Sequence, residues 1–243
     1  MSAACGFEHS LCVDGAGDVW VFGSNADGQC GQKFCRMISE PTVIPTLCNV
    51  ISVSSGKYFS VCVDANGSLW SFGCNKYGAL GVGHTSNCDT PQRVQGIEGS
   101  PMKVACGATH TIVSTDFGKV YGFGCNEYGQ LGIGTRDNQL TPTEILAISD
   151  IKSFACGRDF SMFLSKSGDL YSCGENEEYQ LGLGHTTNQD LPTKLPTVPD
   201  GIVDLSCGEK HSVFLTDEGR VYGLGIRGCG DSKKISNQNI PRY

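Results

Sequence analysis

Cys106-Gly107-Ala108-Thr109-His110-Thr111, followed by Val120-Tyr121-Gly122-Phe123-Gly124-Cys125-Asn126-Glu127-Tyr128-Gly129-Gln130-Leu131-Gly132, is the stretch that decides the fold. Its two elements, Cys-Gly-x-x-[His/Phe]-[Ser/Thr] and Phe-Gly-x-Asn-x-x-Gly-Gln-Leu-Gly, return about every 50 residues along the chain. The first anchor glycine falls at Gly6, Gly56, Gly107, Gly157 and Gly208, with steps of 50, 51, 50 and 51. The second falls at Gly23, Gly73, Gly124, Gly174 and Gly225 and keeps the same four steps. Two anchors in one rhythm define five repeat units, and at this period each unit buries its apolar face only against its neighbours.

Within the third unit, Lys103–Cys106 and His110–Ser114 are short β-branched and apolar segments broken at Gly107. Thr115-Asp116-Phe117-Gly118 has turn chemistry, Lys119–Phe123 is extended, and Pro142 opens a fourth extended piece, Thr143–Leu146. No amphipathic run of helical length survives the Gly and Pro spacing. Four strands per unit at this period predict an all-β fold, a β-propeller of five four-stranded blades. The units run approximately 1–51, 52–102, 103–152, 153–203 and 204–243, and 1–243 reads as a single propeller domain.

The pattern Cys106-Gly107, His110-Thr111, Val120-Tyr121, Gly124, Asn126, Gly129-Gln130-Leu131-Gly132-Ile133-Gly134 and Pro142 resembles the regulator of chromosome condensation repeat. The resemblance implies the propeller of that family, which usually has seven blades. Five units, the fifth losing its pattern at Ile226–Gly230, suggest an incomplete or open arrangement, with an arc expected over a closed ring. Open blade edges would favour self-association. A finer rhythm lies on top. His9, Phe59, His110, Phe160 and His211 alternate at one site, and His84 and His185 recur in units two and four, as in a two-blade super-repeat.

The formal charge of −7, from 25 acidic and 18 basic residues, opposes nucleic acid and anionic lipid as partners. The N-terminus enters the first repeat without a basic start or an apolar run, so no signal peptide is expected, and no apolar stretch is long enough for a membrane helix. Many of the 14 cysteines sit at repeat positions: Cys5, Cys106, Cys156 and Cys207 before the first anchor, Cys74 and Cys125 after the second. They read as reduced core thiols of a cytoplasmic or nuclear protein. The sequon Asn66-Gly67-Ser68 falls in a hairpin turn and is expected to stay unmodified.

The sharper chemical motifs dissolve into the repeat. Cys5/His9, Cys106/His110 and Cys207/His211 lie in alternate units, so they are expected to pack rather than converge on zinc, and no metal or cofactor is expected. Gly223-x-Gly225-x-x-Gly228 imitates a dinucleotide fingerprint without the helix it needs. Glu177-Glu178 reads as a solvated loop, and no catalytic residues are expected.

The doublet after the first anchor changes completely between units: Phe7-Glu8, Lys57-Tyr58, Ala108-Thr109, Arg158-Asp159 and Glu209-Lys210. Variable turns on a constant scaffold commonly carry binding. Phe7, Glu8, Lys57, Tyr58, Arg158, Asp159, Glu209 and Lys210 are therefore expected to protrude as a mixed-charge rim for a protein partner, with the Gly-Gln-Leu-Gly loops forming the opposite rim. The expected function is a non-catalytic interaction module. The resemblance also implies two alternatives: nucleotide exchange on a Ran-like small GTPase, or the propeller part of a larger protein such as a ubiquitin ligase. Exchange in the founding member is associated with an inserted β-wedge, for which steps of 50 and 51 leave no room.

Overall fold

The computed structural model describes residues 2–33 and 35–225, and the backbone of 236–238. Ile226–Gly230, where the fifth unit departs from the pattern and where Gly228 lies, fall outside the described residues. Twenty strands form five antiparallel sheets of four, each in chain order, with no helix among the described residues. The first sheet holds β1 (Ser2–Cys5), β2 (His9–Val13), β3 (Val19–Ser24) and β4 (Met37–Val43). The second holds β5 (Val50–Ser55), β6 (Phe59–Asp64), β7 (Leu69–Gly73) and β8 (Cys88–Arg93), and the third β9 (Pro101–Cys106), β10 (His110–Thr115), β11 (Val120–Gly124) and β12 (Gln139–Glu144). The fourth holds β13 (Ile151–Cys156), β14 (Phe160–Ser165), β15 (Leu170–Gly174) and β16 (Gln189–Lys194). The fifth holds β17 (Ile202–Cys207), β18 (His211–Thr216), β19 (Val221–Gly225) and β20 (Ser236–Gln238).

Both anchor glycines have a steric cause. A Cβ on Gly56 or Gly157 would lie 1.9 Å from the ring of Phe59 or Phe160, and on Gly6 2.1 Å from the His9 ring. The ring at the His/Phe position occupies the space that a side chain on the first anchor would need, which is why nothing larger than Gly fits there. In register, His9, Phe59, His110, Phe160 and His211 pair with Gly23, Gly73, Gly124, Gly174 and Gly225. Those second anchors all have positive φ, from 90° to 112°. A Cβ there would meet the carbonyl oxygen of the second doublet residue, at 2.6 Å from Tyr58 and 2.5 Å from Asp159.

Two compact units divide the chain: residues 1–125 with 137–145, and residues 126–136 with 146–243. In the first unit, period-2 alternation sends one strand into two cores. Phe59, Val61 and Val63 of β6 join Val113 and Phe123 of the third sheet, while Cys62 joins Leu11, Val19 and Val21 of the first. Every residue of β6 is consequently buried. In the second unit, Phe160, Met162 and Leu164 of β14 pack on Ile202, Leu205 and Phe214 in the same way.

One recurrent bond links sheet to sheet. The Ser or Thr after the His/Phe site donates its hydroxyl to the carbonyl at the Gln position of the preceding Gly-Gln-Leu-Gly loop. In the first unit these are Ser60 to Gln29 at 2.7 Å and Thr111 to Ala79 at 2.9 Å. In the second they are Ser161 to Gln130 at 2.8 Å and Ser212 to Gln180 at 3.1 Å. The two sequence elements that define the repeat are thus partners across sheets. Inside each loop, the buried Asn accepts from the backbone five residues on: Asn25 from Cys30, Asn75 from Leu80, Asn126 from Leu131, Asn176 from Leu181.

The super-repeat has a geometric counterpart. His84 and His185 play one role in units two and four: each carbonyl accepts from the loop Asn, at 2.7 Å from Asn75 and from Asn176. Each Nδ1 accepts a backbone N–H two residues later, from Ser86 and Thr187. Unit three closes the same loop with Thr135 and unit one with Gln32 and Cys35.

Candidate partner-binding face

In a sheet of four antiparallel strands in chain order, the first and third connections emerge at one end and the second at the other. The variable doublets occupy the first connection and the Gly-Gln-Leu-Gly loops the third. They therefore share an end, which corrects the expectation of opposite rims. Strand direction, invisible in a list of motifs, is the reason. Direct bonds confirm it: Ser24, Cys74, Cys125 and Glu175, each just after a second anchor, donate N–H to the carbonyls of Glu8, Tyr58, Thr109 and Asp159 at 2.7–2.9 Å.

The doublets are also tied to one another. In the first unit, Phe7 N–H donates to the Lys57 carbonyl and Lys57 N–H to that of Ala108, both at 3.1 Å. In the second unit Arg158 N–H donates to the Glu209 carbonyl at 3.2 Å. Their backbone is fixed, and what varies is the side chain. Phe7, Glu8, Lys57, Arg158 and Glu209 are exposed, as expected, whereas Tyr58, Asp159 and Lys210 are half-buried.

The first unit brings Phe7, Lys57 and Tyr58 together. The two rings meet edge to face at 5.9 Å, and Lys57 Nζ lies 5.2 Å from the Phe7 centroid and 5.1 Å from that of Tyr58. Phe7 nevertheless remains 66% exposed. In the second unit Arg158 pairs with Glu209 at 2.7 Å and with Asp159 at 3.2 Å, and Lys210 pairs with Glu175 at 3.4 Å. Burial holds the Asp159 carboxyl above the usual range despite Arg158 beside it. The Tyr128 phenol is likewise raised, by burial and by the charges of Asp159, Glu175, Glu177 and Glu127.

Three of these residues, Glu127, Tyr128 and Glu175, were absent from the sequence-derived rim because loop three was assigned to the other end. Glu177 is an exposed loop residue, as expected, and its charge acts on the Tyr128 phenol. Glu175 carried a signal nonetheless, since its equivalents are Ser24, Cys74 and Cys125. His9 is buried and serves the sheet interface. Because the Ser60 hydroxyl donates to Gln29, His9 Nε2–H donates to Ser60 Oγ at 2.9 Å. Burial lowers its pKa to about 4 and that of His110 to about 3.

Four-stranded sheets stacked through a recurrent loop-to-strand bond, with a variable turn presented at one end, define a β-propeller repeat protein. The chain belongs to the regulator of chromosome condensation (RCC1) repeat family, whose model matches residues 16–63, 66–114, 118–164 and 167–215. A second model of the same repeat matches 2–29, 50–79, 103–130, 151–180 and 202–232. The human probable E3 ubiquitin-protein ligase HERC6 is 30% identical over 93% of this chain, which spans 18% of that protein. The ultraviolet-B receptor UVR8 of Arabidopsis thaliana is 32% identical over 98% of this chain, which spans 56% of it. Among solved structures, human WBSCR16 superposes with a TM-score of 0.86 at 26% identity, covering 99% of this chain and 66% of that one. Prp20p of Saccharomyces cerevisiae, studied with its binding to Gsp1p and histones, superposes at 0.79 and 25% identity, covering 92% of this chain and 56% of its own.

Proposed function

We propose that the chain is a non-catalytic protein–protein interaction propeller, a scaffold or regulatory module that grips a protein partner through the doublet-bearing end of its sheets. Residues 1–243 act in it as one propeller domain, in the cytoplasm or the nucleus. The observation that carries this reading is the Phe7–Lys57–Tyr58 cluster. An aromatic ring 66% exposed, held by a second ring and a cation on a hydrogen-bonded backbone, is a pre-ordered contact rather than a loose surface residue. Tyr and Arg are the residue types enriched where binding energy concentrates.

A pull-down from cell extract with wild type and the Tyr58→Ala/Arg158→Ala variant tests it. The double variant should lose about 2 kcal/mol or more of affinity for the captured partner. Arg158→Ala by itself should leave the melting temperature near that of wild type, because exposed ion pairs contribute little to stability. Equal capture by both proteins would exclude this rim.

Nucleotide exchange on a Ran-like GTPase is the second reading, supported by the likeness to Prp20p, a protein described with binding to Gsp1p. Displacing a nucleotide takes a large, ordered contact surface. Steps of 50 and 51 leave no room for an inserted wedge within the five repeats. Sub-stoichiometric chain should leave labelled GDP on a Ran-type GTPase, and rapid release would establish exchange instead. A role as the propeller part of a larger ligase is supported by the likeness to HERC6.

A further inference from the structure

We propose that the flank of the first sheet turned away from the second is a docking surface for one further unit of this repeat, carried by a partner polypeptide. The flank is distinct from the doublet side chains and does not rest on the reading above. The first observation is composition. Leu11, Val19 and Val21 face the second sheet, so strand alternation sends Ser10, Cys12 and Phe22 to the opposite flank. Ser10 lies across from Phe22 on one side and from Cys5 on the other, which sets the three in one row. The second sheet has the same residue types at the equivalent positions, Ser60, Cys62 and Phe72, all fully buried against the first sheet and its loop. Ser10, Cys12 and Phe22 are only half-buried, and Cys5 is exposed. A terminal repeat that faces water carries a polar outer surface. The first sheet carries an interior one instead.

The second observation is a pair of unfilled hydrogen bonds. Ser60, Thr111, Ser161 and Ser212 each donate to a loop carbonyl of the preceding unit. The Ser10 hydroxyl reaches no carbonyl among the described residues and has only Cys5 Sγ, at 3.7 Å. The doublet backbone is open in the same sense. The carbonyls of Lys57 and Ala108 accept the N–H of the doublet before them, whereas no described residue donates to the Phe7 carbonyl. A preceding unit of the same repeat brings both missing groups, a loop carbonyl and a doublet N–H.

The third observation names the occupant. What covers the equivalent aromatic ring elsewhere is the last glycine of the preceding loop. A Cβ on Gly31 would lie 3.1 Å from the Phe72 ring, and one on Gly81 2.8 Å from the Phe123 ring. A second copy of this chain fits less well. Its first four loops are already held by Ser60, Thr111, Ser161 and Ser212, and its fifth reads Ile226-Arg227-Gly228-Cys229-Gly230 in place of the pattern.

The probe is the chain with residues 103–152, which include an intact Gly129-Gln130-Leu131-Gly132 loop, joined directly to Ser2. Residue 153 is the repeat equivalent of Ser2, so the junction keeps the natural spacing. Covalent attachment supplies the unit at high effective concentration. Alkylation of Cys12 by iodoacetamide, mapped by mass spectrometry, should slow by at least about tenfold relative to wild type, toward the rate of its buried equivalent Cys62. Cys48, exposed and outside the flank, should stay within about twofold. Ser10→Ala should lower the urea midpoint of the fused protein and leave that of wild type unchanged, because the hydroxyl gains its acceptor only when the flank is covered.

An unchanged Cys12 rate, both in this fusion and in one carrying residues 154–203, overturns the docking surface. So does equal slowing by an appended Gly–Ser segment of the same length, since any added chain would then shield the thiol. A wild-type Cys12 rate that falls with protein concentration, alongside dimers in sedimentation, would give the flank to a second copy instead. Equal midpoint shifts in the fused and wild-type proteins would deny Ser10 its missing partner.

Discussion

Gly73 and Gly118 both have positive φ, 112° and 75°, yet they carry different burdens. A Cβ on Gly118 meets nothing within 4 Å, whereas on Gly73 it meets the Tyr58 carbonyl at 2.6 Å. Gly118→Ala should therefore cost about 1 kcal/mol, the backbone term alone. Gly73→Ala should cost more than about 3 kcal/mol, because rigid backbone must also move. Urea titration of the two variants checks the order, and equal losses would dismiss the steric account. Histidine supplies a pH prediction. The folded pKa of His9, about 4, and of His110, about 3, lie below the ordinary histidine value of about 6.5, so the unfolded chain binds the extra protons. Stability is then fully present above pH 6.5 and falls as pH drops toward 4 and 3, at up to about 1.4 kcal/mol per pH unit per histidine. His9→Phe, the residue its own repeat position accepts at Phe59 and Phe160, should flatten that slope. An unchanged slope between pH 6.5 and 4 in urea unfolding would remove His9 from the account.

At the scale of the element, the hydroxyl bond from one sheet to the loop of the previous one is the unit of stacking. Thr111→Val keeps the shape of a buried β-branched side chain and removes the donor to the Ala79 carbonyl. The loss should be about 1–2 kcal/mol, with the signature of a buried acceptor left unpaired. Amide exchange in loop 75–81 should accelerate more than in loop 176–184, which is held by Ser212 instead. Equal acceleration would mean the bond has no local role. Strands, turns and both anchors were legible from the period, because each depends on residues within one repeat. The end of the sheet at which a loop emerges was misread for the Gly-Gln-Leu-Gly loops. That property follows from counting strand reversals, not from any residue type.

At the scale of the whole molecule, thiol chemistry and cooperativity are the accessible readouts. Burial pushes Cys30 up to about 12 and raises Cys62 and Cys173 further, so these thiols stay protonated and slow to react in the folded protein. Cys5, Cys35 and Cys48 are exposed and should react at once, with all 14 appearing in denaturant. Fewer than 14 in unreduced, denatured protein would mean disulfides and would overturn the cytoplasmic or nuclear assignment. If residues 1–243 form one cooperative domain, Gly73→Ala and Gly174→Ala should lower the same single unfolding transition. Two transitions, each moved by one variant, would make the two compact units independent folding bodies.

The chain by itself determined the five units, their four strands and the identity of both anchors, since an exact period is information repeated until chance is excluded. It also marked the doublets as the place where units differ. Only tertiary structure decided which side chains meet. Lys57 lies over Phe7 as well as Tyr58 because consecutive doublets are joined by backbone hydrogen bonds 50 residues apart in sequence. Glu175 of the fourth sheet pairs with Lys210 of the fifth because the third connection of one sheet reaches the first connection of the next. Such encounters depend on distances between repeats, and a repeating pattern is silent about them because it describes every repeat alike.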